Sequence, residues 1–160
     1  MDTPLLIAWH SRTGASEAMA RAAHEGAAGR ARLLRCDVVE PGDLLGAQGY
    51  LFVCPENLAT MSGLMKEMFD RSYYPVLGRI EGRAYATLIA AGSDGEGAQR
   101  QIDRIATGWR LRRVAEPVIV NLSAQTPEAI LAPKSVPGSA LQRCRDIGEA
   151  LAEGLVAGMF

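Results

Sequence analysis

Small hydroxyl side chains and a glycine follow the first apolar run of the sequence. The run Leu5–Trp9 is typical of a buried strand, and the alanine-rich stretch Ala18–Ala23 is typical of a helix. The turn between them, Ser11–Ser16, carries three hydroxyls and a glycine that lets the backbone approach a ligand closely. The first N–H groups of a helix have no partner within it and lie at the positive end of its dipole. We therefore interpret this turn as a phosphate-binding loop.

Two common phosphate loops do not fit this turn. The dinucleotide fingerprint needs three glycines spaced G-x-G-x-x-G, and only Gly14 is present; the nucleoside-triphosphate loop needs a Gly-Lys-Ser/Thr ending, which is absent. Arg12 can either reach the phosphate as a forked donor or point into water. The Ser and Thr residues can also act as ordinary helix caps with no ligand. Taken alone, the turn leaves both alternatives open.

The composition indicates a globular chain. The sequence has 160 residues, 48% of them hydrophobic, with a formal net charge of −1 at pH 7. We therefore expect a single domain over residues 1–160. Lys and Arg are dispersed, and no apolar run reaches the length of a membrane helix. These features favour a cytoplasmic protein that binds neither nucleic acid nor a membrane.

The cysteines and histidines show no metal-binding or catalytic pattern. Cys36, Cys54 and Cys144 lie far apart in apolar settings, so we expect three buried, reduced thiols. Neither His10 nor His24 has the spacing of a metal ligand. No residue stands out as a general acid or base. We therefore predict no metal site and assign no catalytic residue.

Five apolar segments separated by helical patterns predict the architecture. The predicted strands are Leu5–Trp9, Arg32–Val38, Gln48–Cys54, Arg83–Ala91 and Pro117–Leu122. Pro55 is expected to end the third strand, and Ser62 to cap the helix Gly63–Ser72. Alternating strands and helices of this kind predict an α/β sandwich around a parallel sheet. The proline-bearing stretch Ser123–Pro137 is expected to be a surface excursion.

Three predicted strands end in loops rich in small and polar residues, namely Ser11–Ser16, Pro55–Ser62 and Gly92–Gly97. In an open parallel sheet the carboxyl ends of the strands lie at one edge, and ligands bind there where the strand order reverses. The three loops should therefore form one binding site. This expected convergence favours a phosphate ligand over simple helix caps.

The first two loops also resemble those of a known superfamily. Ser-x-Thr-Gly-x-Ser after the first strand resembles the FMN phosphate loop of flavodoxin-like proteins. Pro55–Arg71 is similar to the segment Pro-x5-Met-Ser-Gly-x-Met-Lys-x3-Asp-Arg of NAD(P)H-dependent FMN and quinone reductases in that superfamily. The resemblance covers Leu5 to about Val120. It implies a flavodoxin-like three-layer sandwich with a five-stranded parallel sheet in the order 2-1-3-4-5.

By position, the resemblance also implies the cofactor-binding residues. The residues assigned to the FMN phosphate are Ser11, Arg12, Thr13, Gly14, Ala15 and Ser16. Those assigned to the ribityl chain and one edge of the flavin ring are Pro55, Glu56, Asn57, Leu58, Thr60 and Met61. Those assigned to the other side of the ring are Gly92, Ser93, Asp94 and Gly95.

The implied function is that of an FMN-binding flavoprotein, with NAD(P)H as co-substrate and a quinone or free flavin as acceptor. The second loop offers Leu58 and Met61 where electron-carrier flavodoxins have aromatic residues, and the net charge is near zero. Both departures favour an NAD(P)H-dependent oxidoreductase over a carrier. A flavodoxin-type electron carrier and a flavodoxin-like domain with weak or no FMN binding remain alternatives. Tyr73 and Tyr74 can cover the ring of a neighbouring subunit, which favours a homo-oligomer, or can pack on the sheet edge.

Overall fold

Seven strands form the sheet of the computed structural model, counted over residues 3–160, which are the residues that the structure describes. The strands are β1 (Leu5–Trp9), β2 (Ala31–Arg35), β3 (Gly49–Asn57), β4 (Thr60–Met61), β5 (Ala84–Ala91), β6 (Arg112–Arg113) and β7 (Val118–Asn121). The helices are α1 (Ala15–Gly26), α2 (Pro41–Gly46), α3 (Gly63–Val76), α4 (Glu96–Gly108), α5 (Pro127–Leu131) and α6 (Gly138–Val156), and a 3₁₀ turn covers Cys36–Val38. This turn replaces the last three residues of the predicted second strand.

The main ladder is parallel and runs β2-β1-β3-β5, with β6 and β7 sharing the fifth position. Strand β6 pairs with the start of β5, and β7 pairs with its end. The predicted order 2-1-3-4-5 is therefore confirmed. The fifth position is divided because four residues, 114–117, separate β6 from β7 where β5 has only two, 86–87, between the paired positions.

Strand β3 does not end at Pro55, contrary to the prediction. Pro55 lies opposite Ala90 in the ladder, and its carbonyl accepts the N–H of Ser62 at 3.2 Å. A proline loses only its donor, so the strand continues to Asn57. Its last two residues pair antiparallel with β4. Strands β4 and β6 are the two strands of the sheet that were not among the five predicted. The result is a small hairpin that extends past the edge of the sheet.

Alternate side chains of the central strands enter two cores, one on each face of the sheet. Leu5, Ile7, Leu51 and Val53 pack on the α1 and α6 side. Leu6, Ala8, Tyr50 and Phe52 pack on the side of α3 and α4. Because both faces are covered, the strands are apolar without alternation. The described helices include none that is long and apolar enough to cross a membrane.

Helices α1 and α6 pack closely through two glycines. A Cβ atom at Gly148 would overlap the carbonyl oxygen of Ala23, and one at Gly26 would overlap the carbonyl of Arg145. The backbones therefore approach at two points along the pair. This contact holds α1, which follows the predicted phosphate loop, against the long C-terminal helix.

The three cysteines are buried and unpaired, which confirms the prediction of buried thiols. Burial raises the pKa of Cys36 and of Cys144 to about 11 and that of Cys54 to about 12. The thiolate is the reactive form of cysteine, so these raised values oppose thiol chemistry at neutral pH.

Candidate functional site

A cleft of about 300 Å³ opens at the carboxyl ends of β1, β3 and β5. Its lining comes from the three predicted loops and from the chain beyond β7. The volume lies at the lower end of the range for small-molecule sites. Parallel strands place these loops together, as the sequence indicated.

Most of the predicted cofactor residues line this cleft. Those that do are Ser11, Arg12, Thr13, Ala15, Ser16, Pro55, Glu56, Asn57, Leu58, Gly92 and Ser93. Those absent from the lining are Gly14, Thr60, Met61, Asp94 and Gly95. The assignment of both sets of residues to FMN remains a prediction.

The first loop presents donors to the cleft. Gly14 has a φ of 105° and donates its N–H to the Ser11 hydroxyl at 3.1 Å, which leaves the proton of that hydroxyl available. No side chain of the described residues caps the N-terminus of α1. Ser16 is 1% exposed, and its hydroxyl has no hydrogen-bond partner among residues 3–160. An unpartnered buried hydroxyl costs free energy, which a ligand that accepts its proton would recover.

The N-cap residue of α3 does not cap its helix, contrary to the prediction. The Ser62 hydroxyl lies 2.7 Å from Nδ1 of His10, the residue after β1. His10 is buried, and burial lowers its pKa, with a further lowering by the charge of Arg35. This hydrogen bond ties the start of the first loop to the end of the second.

The hairpin between β3 and β4 turns through two residues with positive φ, Leu58 at 52° and Ala59 at 67°. Such a turn usually carries Asn and Gly, because a Cβ atom is strained in this conformation. The Leu58 side chain is nevertheless 99% exposed and lines the cleft. Strained residues at exposed apolar positions are typical of ligand contacts.

A carboxylate joins this hairpin to α4. Glu56 accepts the N–H groups of Gly95 at 2.9 Å and Ala98 at 3.1 Å, at the N-terminus of that helix. Met61 donates its own N–H to the Gln101 side chain at 2.8 Å, and its side chain is buried in the core. Met61 therefore faces the protein interior and not the cleft.

The remaining predicted residues outside the lining make local contacts. Thr60 donates its hydroxyl to the Met61 carbonyl at 2.9 Å. Gly95, with a φ of 92°, packs against the Ile119 side chain, and Asp94 is exposed. These residues shape the second and third loops from behind.

The third loop is braced by the chain beyond β7. The Asn121 amide donates to the Ser93 carbonyl at 2.8 Å, and Ala124 donates its N–H to the Gly92 carbonyl at 2.9 Å. A Cβ atom at Gly92 would overlap the Ala124 carbonyl, so this approach requires glycine. One edge of the cleft is therefore set by backbone contact.

One wall of the cleft consists of residues that were not predicted from the sequence. The additional lining residues are Ala59, Ala90, Ala91, Leu122, Ala124, Ile130, Leu131 and Lys134. Several of these belong to Ser123–Pro137, which was predicted to be only a surface excursion. Its run Ala129–Ala132, which contains the large apolar pair Ile130–Leu131 within a proline-bearing stretch, was the signal available in the sequence.

The charges at the cleft are mixed. Arg12 is exposed at the lining and Lys134 is half-buried, whereas Glu56 is engaged by the amides of α4. Within residues 3–160 no three His, Cys, Asp or Glu residues cluster in a way that could hold a metal ion. The arrangement is therefore best suited to an anionic group at α1 and an apolar group near Leu58.

No protein-family model matches this sequence, and no curated protein does. Among solved structures, an archaeal flavodoxin aligns with 95% of this chain and 98% of its own, at 17% identity and a TM-score of 0.78. A flavodoxin, WrbA-like protein from Agrobacterium tumefaciens aligns over 96% and 97% of the two chains, at 17% identity and a TM-score of 0.76. Rubredoxin oxygen:oxidoreductase from Desulfovibrio gigas matches 97% of this chain but 36% of its own, at 15% identity and a TM-score of 0.75. These similarities show that the chain has a flavodoxin-like fold.

The burial of His10 predicts a pH dependence of stability. Because the folded pKa of His10 is lowered, the unfolded chain binds a proton below about pH 6.5 that the folded chain does not. This histidine therefore lowers the free energy of unfolding as the pH falls, by at most about 1.4 kcal/mol per pH unit. In His10→Asn, whose amide can still bond Ser62, we expect a smaller loss of stability between about pH 7.5 and about pH 5.5 in urea denaturation.

If the free energy of unfolding of His10→Asn depends on pH as that of the wild type does, the lowered pKa of His10 is contradicted.

Proposed function

We propose that this chain is an FMN-binding flavoprotein. The observation that carries the proposal is the buried Ser16 hydroxyl, which has no partner among residues 3–160. Ser16 is a lining residue of the cleft and belongs to the uncapped N-terminus of α1. A phosphate monoester would accept hydrogen bonds from this hydroxyl and from the helix amides. The resemblance of the first two loops to flavin-binding sequences supports FMN as the molecule that carries the phosphate.

The residues present fit that cofactor. Ser11, Thr13 and Ser16 offer hydroxyl donors for the phosphate. The exposed Leu58 on one side and Gly92–Ser93 on the other would flank the flavin ring. When bound, FMN supplies the hydride chemistry, and the protein's part is to bind and orient it.

Removing the Ser16 hydroxyl should weaken FMN binding without destabilising the protein. In Ser16→Ala we expect FMN affinity to fall by about tenfold, since a hydrogen bond to a charged group contributes about 1.5–3 kcal/mol. The free energy of unfolding should stay equal or rise, because the unpartnered polar atom is gone. Flavin fluorescence titration measures the first quantity, and urea denaturation the second.

Ser72, in α3, is the matched control, because its hydroxyl is also buried and without a partner among the described residues. Ser72→Ala should change stability in the same direction and leave FMN affinity unchanged. If Ser16→Ala binds FMN as the wild type does, Ser16 does not contact the phosphate. A wild type that binds no FMN would refute the function itself.

We further propose that the flavoprotein is an NAD(P)H-dependent oxidoreductase with a small-molecule acceptor, a quinone or free flavin. None of the described residues that line the cleft is aromatic, and Leu58, Ile130 and Leu131 are exposed around it. A ring flanked by such side chains has room beside it for a nicotinamide or a quinone. An electron carrier would instead benefit from aromatic packing that covers the ring.

The Leu58 side chain should contribute to flavin affinity at a cost in stability. In Leu58→Asn the turn gains a residue suited to positive φ, so we expect the free energy of unfolding to rise by about 0.5–1 kcal/mol. Flavin affinity should fall by about fivefold, because the apolar cover is lost. Calorimetric denaturation and fluorescence titration test the two effects.

Ala59→Gly relieves strain at the neighbouring position and keeps the leucine. It should raise stability and retain wild-type affinity. A Leu58→Asn variant that is more stable and binds flavin equally well would remove Leu58 from the site.

The enzymatic proposal predicts that the purified protein with FMN oxidises NADH or NADPH when benzoquinone is present. The rate should rise with added FMN, fall at subsaturating FMN in Ser16→Ala, and stay unchanged in Ser72→Ala. Stopped-flow absorbance at the nicotinamide and flavin bands measures both half-reactions. FMN binding without nicotinamide turnover would instead favour a flavodoxin-type carrier.

A further inference from the structure

The chain between β7 and α6 crosses the mouth of the first loop. Lys134 donates its backbone N–H to the Thr13 carbonyl at 2.9 Å, and its Nζ lies 3.3 Å from the Thr13 hydroxyl. Its own carbonyl lies 3.9 Å from the position that a Cβ atom would take at Gly14. Thr13 and Lys134, which lie more than a hundred positions apart in the sequence, are therefore hydrogen-bonded to each other at the predicted phosphate loop.

The hydrogen-bond acceptors of the Lys134 ammonium among the described residues are all neutral. Nζ donates to the Ala132 carbonyl at 2.6 Å and to the Ile130 carbonyl at 2.8 Å, and no carboxylate of residues 3–160 forms an ion pair with it. The other lysine of the sequence, Lys66, pairs with Asp70. A half-buried ammonium without a counter-charge, beside an uncapped helix N-terminus, makes this end of the cleft favourable for a dianion.

The unpartnered hydroxyl of Ser16 is an independent sign of a ligand at the same place. Ser16 and Lys134 both line the cleft, Ser16 as a buried residue of α1 and Lys134 as a half-buried residue of the segment beyond β7. A phosphate between them would accept from the hydroxyl and be partly neutralised by the ammonium. The flavodoxin-like loop by itself supplies hydroxyls and amides but no cation from this direction.

We propose that Lys134 binds the phosphate of the flavin and makes the site selective for the phosphorylated cofactor over riboflavin. This proposal rests on the proposed FMN function. The same side chain bonds the carbonyl of Ile130 in α5, so it also positions the apolar pair Ile130–Leu131 beside the cleft. Phosphate recognition and one wall of the ring site therefore lie on one segment, Ser123–Pro137.

The test compares FMN with riboflavin, which differ only in the phosphate. In Lys134→Gln, whose amide can still donate to the Ile130 and Ala132 carbonyls, we expect FMN affinity to fall by about tenfold and riboflavin affinity to stay within about twofold. The dependence of FMN affinity on salt should also become weaker, because one charge pair is lost. Lys134→Arg should recover part of the FMN affinity. Lys66→Gln, which removes the same charge from α3, should match the wild type with both flavins.

A second measurement uses the small number of lysines. The sequence contains only Lys66 and Lys134, so acylation by an amine-selective reagent can be followed at each by mass spectrometry. FMN should slow modification of Lys134 and leave Lys66 unchanged, whereas riboflavin should protect neither.

The outcomes separate this proposal from the function on which it rests. If the wild type binds FMN and Lys134→Gln binds it equally well, or if both flavins weaken to the same degree, Lys134 does not read the phosphate and the FMN function stands. Equal protection of Lys134 by FMN and riboflavin would likewise overturn the phosphate contact. If the wild type binds neither flavin, both proposals fail together.

Discussion

The hydrogen bonds that Glu56 accepts from the N–H groups of Gly95 and Ala98 fix the distance between the second and third loops. A carboxylate is well placed there, because it meets the positive end of α4. The Met61 N–H that Gln101 accepts is a second link between the hairpin and α4. The width of the cleft on its ring-binding side therefore depends on these polar contacts between the hairpin and α4.

The opposite side of the cleft is held by close backbone packing, with an exposed ion pair between Arg145 of α6 and Glu25 of α1 beside it. Helix α1 lies against α6 with its backbone, and the first loop is closed by the bond between Gly14 and Ser11. The bond between His10 and Ser62 then connects this side to the start of α3. The cleft thus has one wall supported from each face of the sheet. The segment Ser123–Pro137 forms a third wall, which is held by backbone hydrogen bonds to Thr13 and Gly92.

The sheet and the location of the cleft could be predicted from the sequence. Apolar runs of strand length, separated by helical patterns, predicted a parallel sheet, and the resemblance implied its strand order. A parallel sheet places Ser11–Ser16, Pro55–Ser62 and Gly92–Gly97 together. These inferences succeed because they depend on local periodicity and on a general rule of α/β topology. The flavodoxin-like fold seen in the solved structures agrees with them.

The errors arose where a distant contact decides what a residue does. Ser62 has the type and position of a helix cap, but a histidine more than fifty positions away takes its hydroxyl. Pro55 would end most strands, yet it lies opposite Ala90 of β5 in the ladder, and β3 continues beyond it. Lys134 gave no local signal, because its partner Thr13 lies at the other end of the chain. Such pairings have no periodicity, so a single sequence does not display them.

The close approach of α1 and α6 has a consequence for engineering. Glycine within a helix is an obvious target for replacement by alanine, because alanine restricts the unfolded chain and favours the helix. At Gly26 and Gly148, however, the methyl group of an alanine would overlap a carbonyl of the facing helix. At Gly138, where a Cβ atom would meet nothing within 4 Å, the same replacement has open space. A thermostabilised version of this scaffold should therefore be sought at the free end of α6, and the helix junction left as it stands.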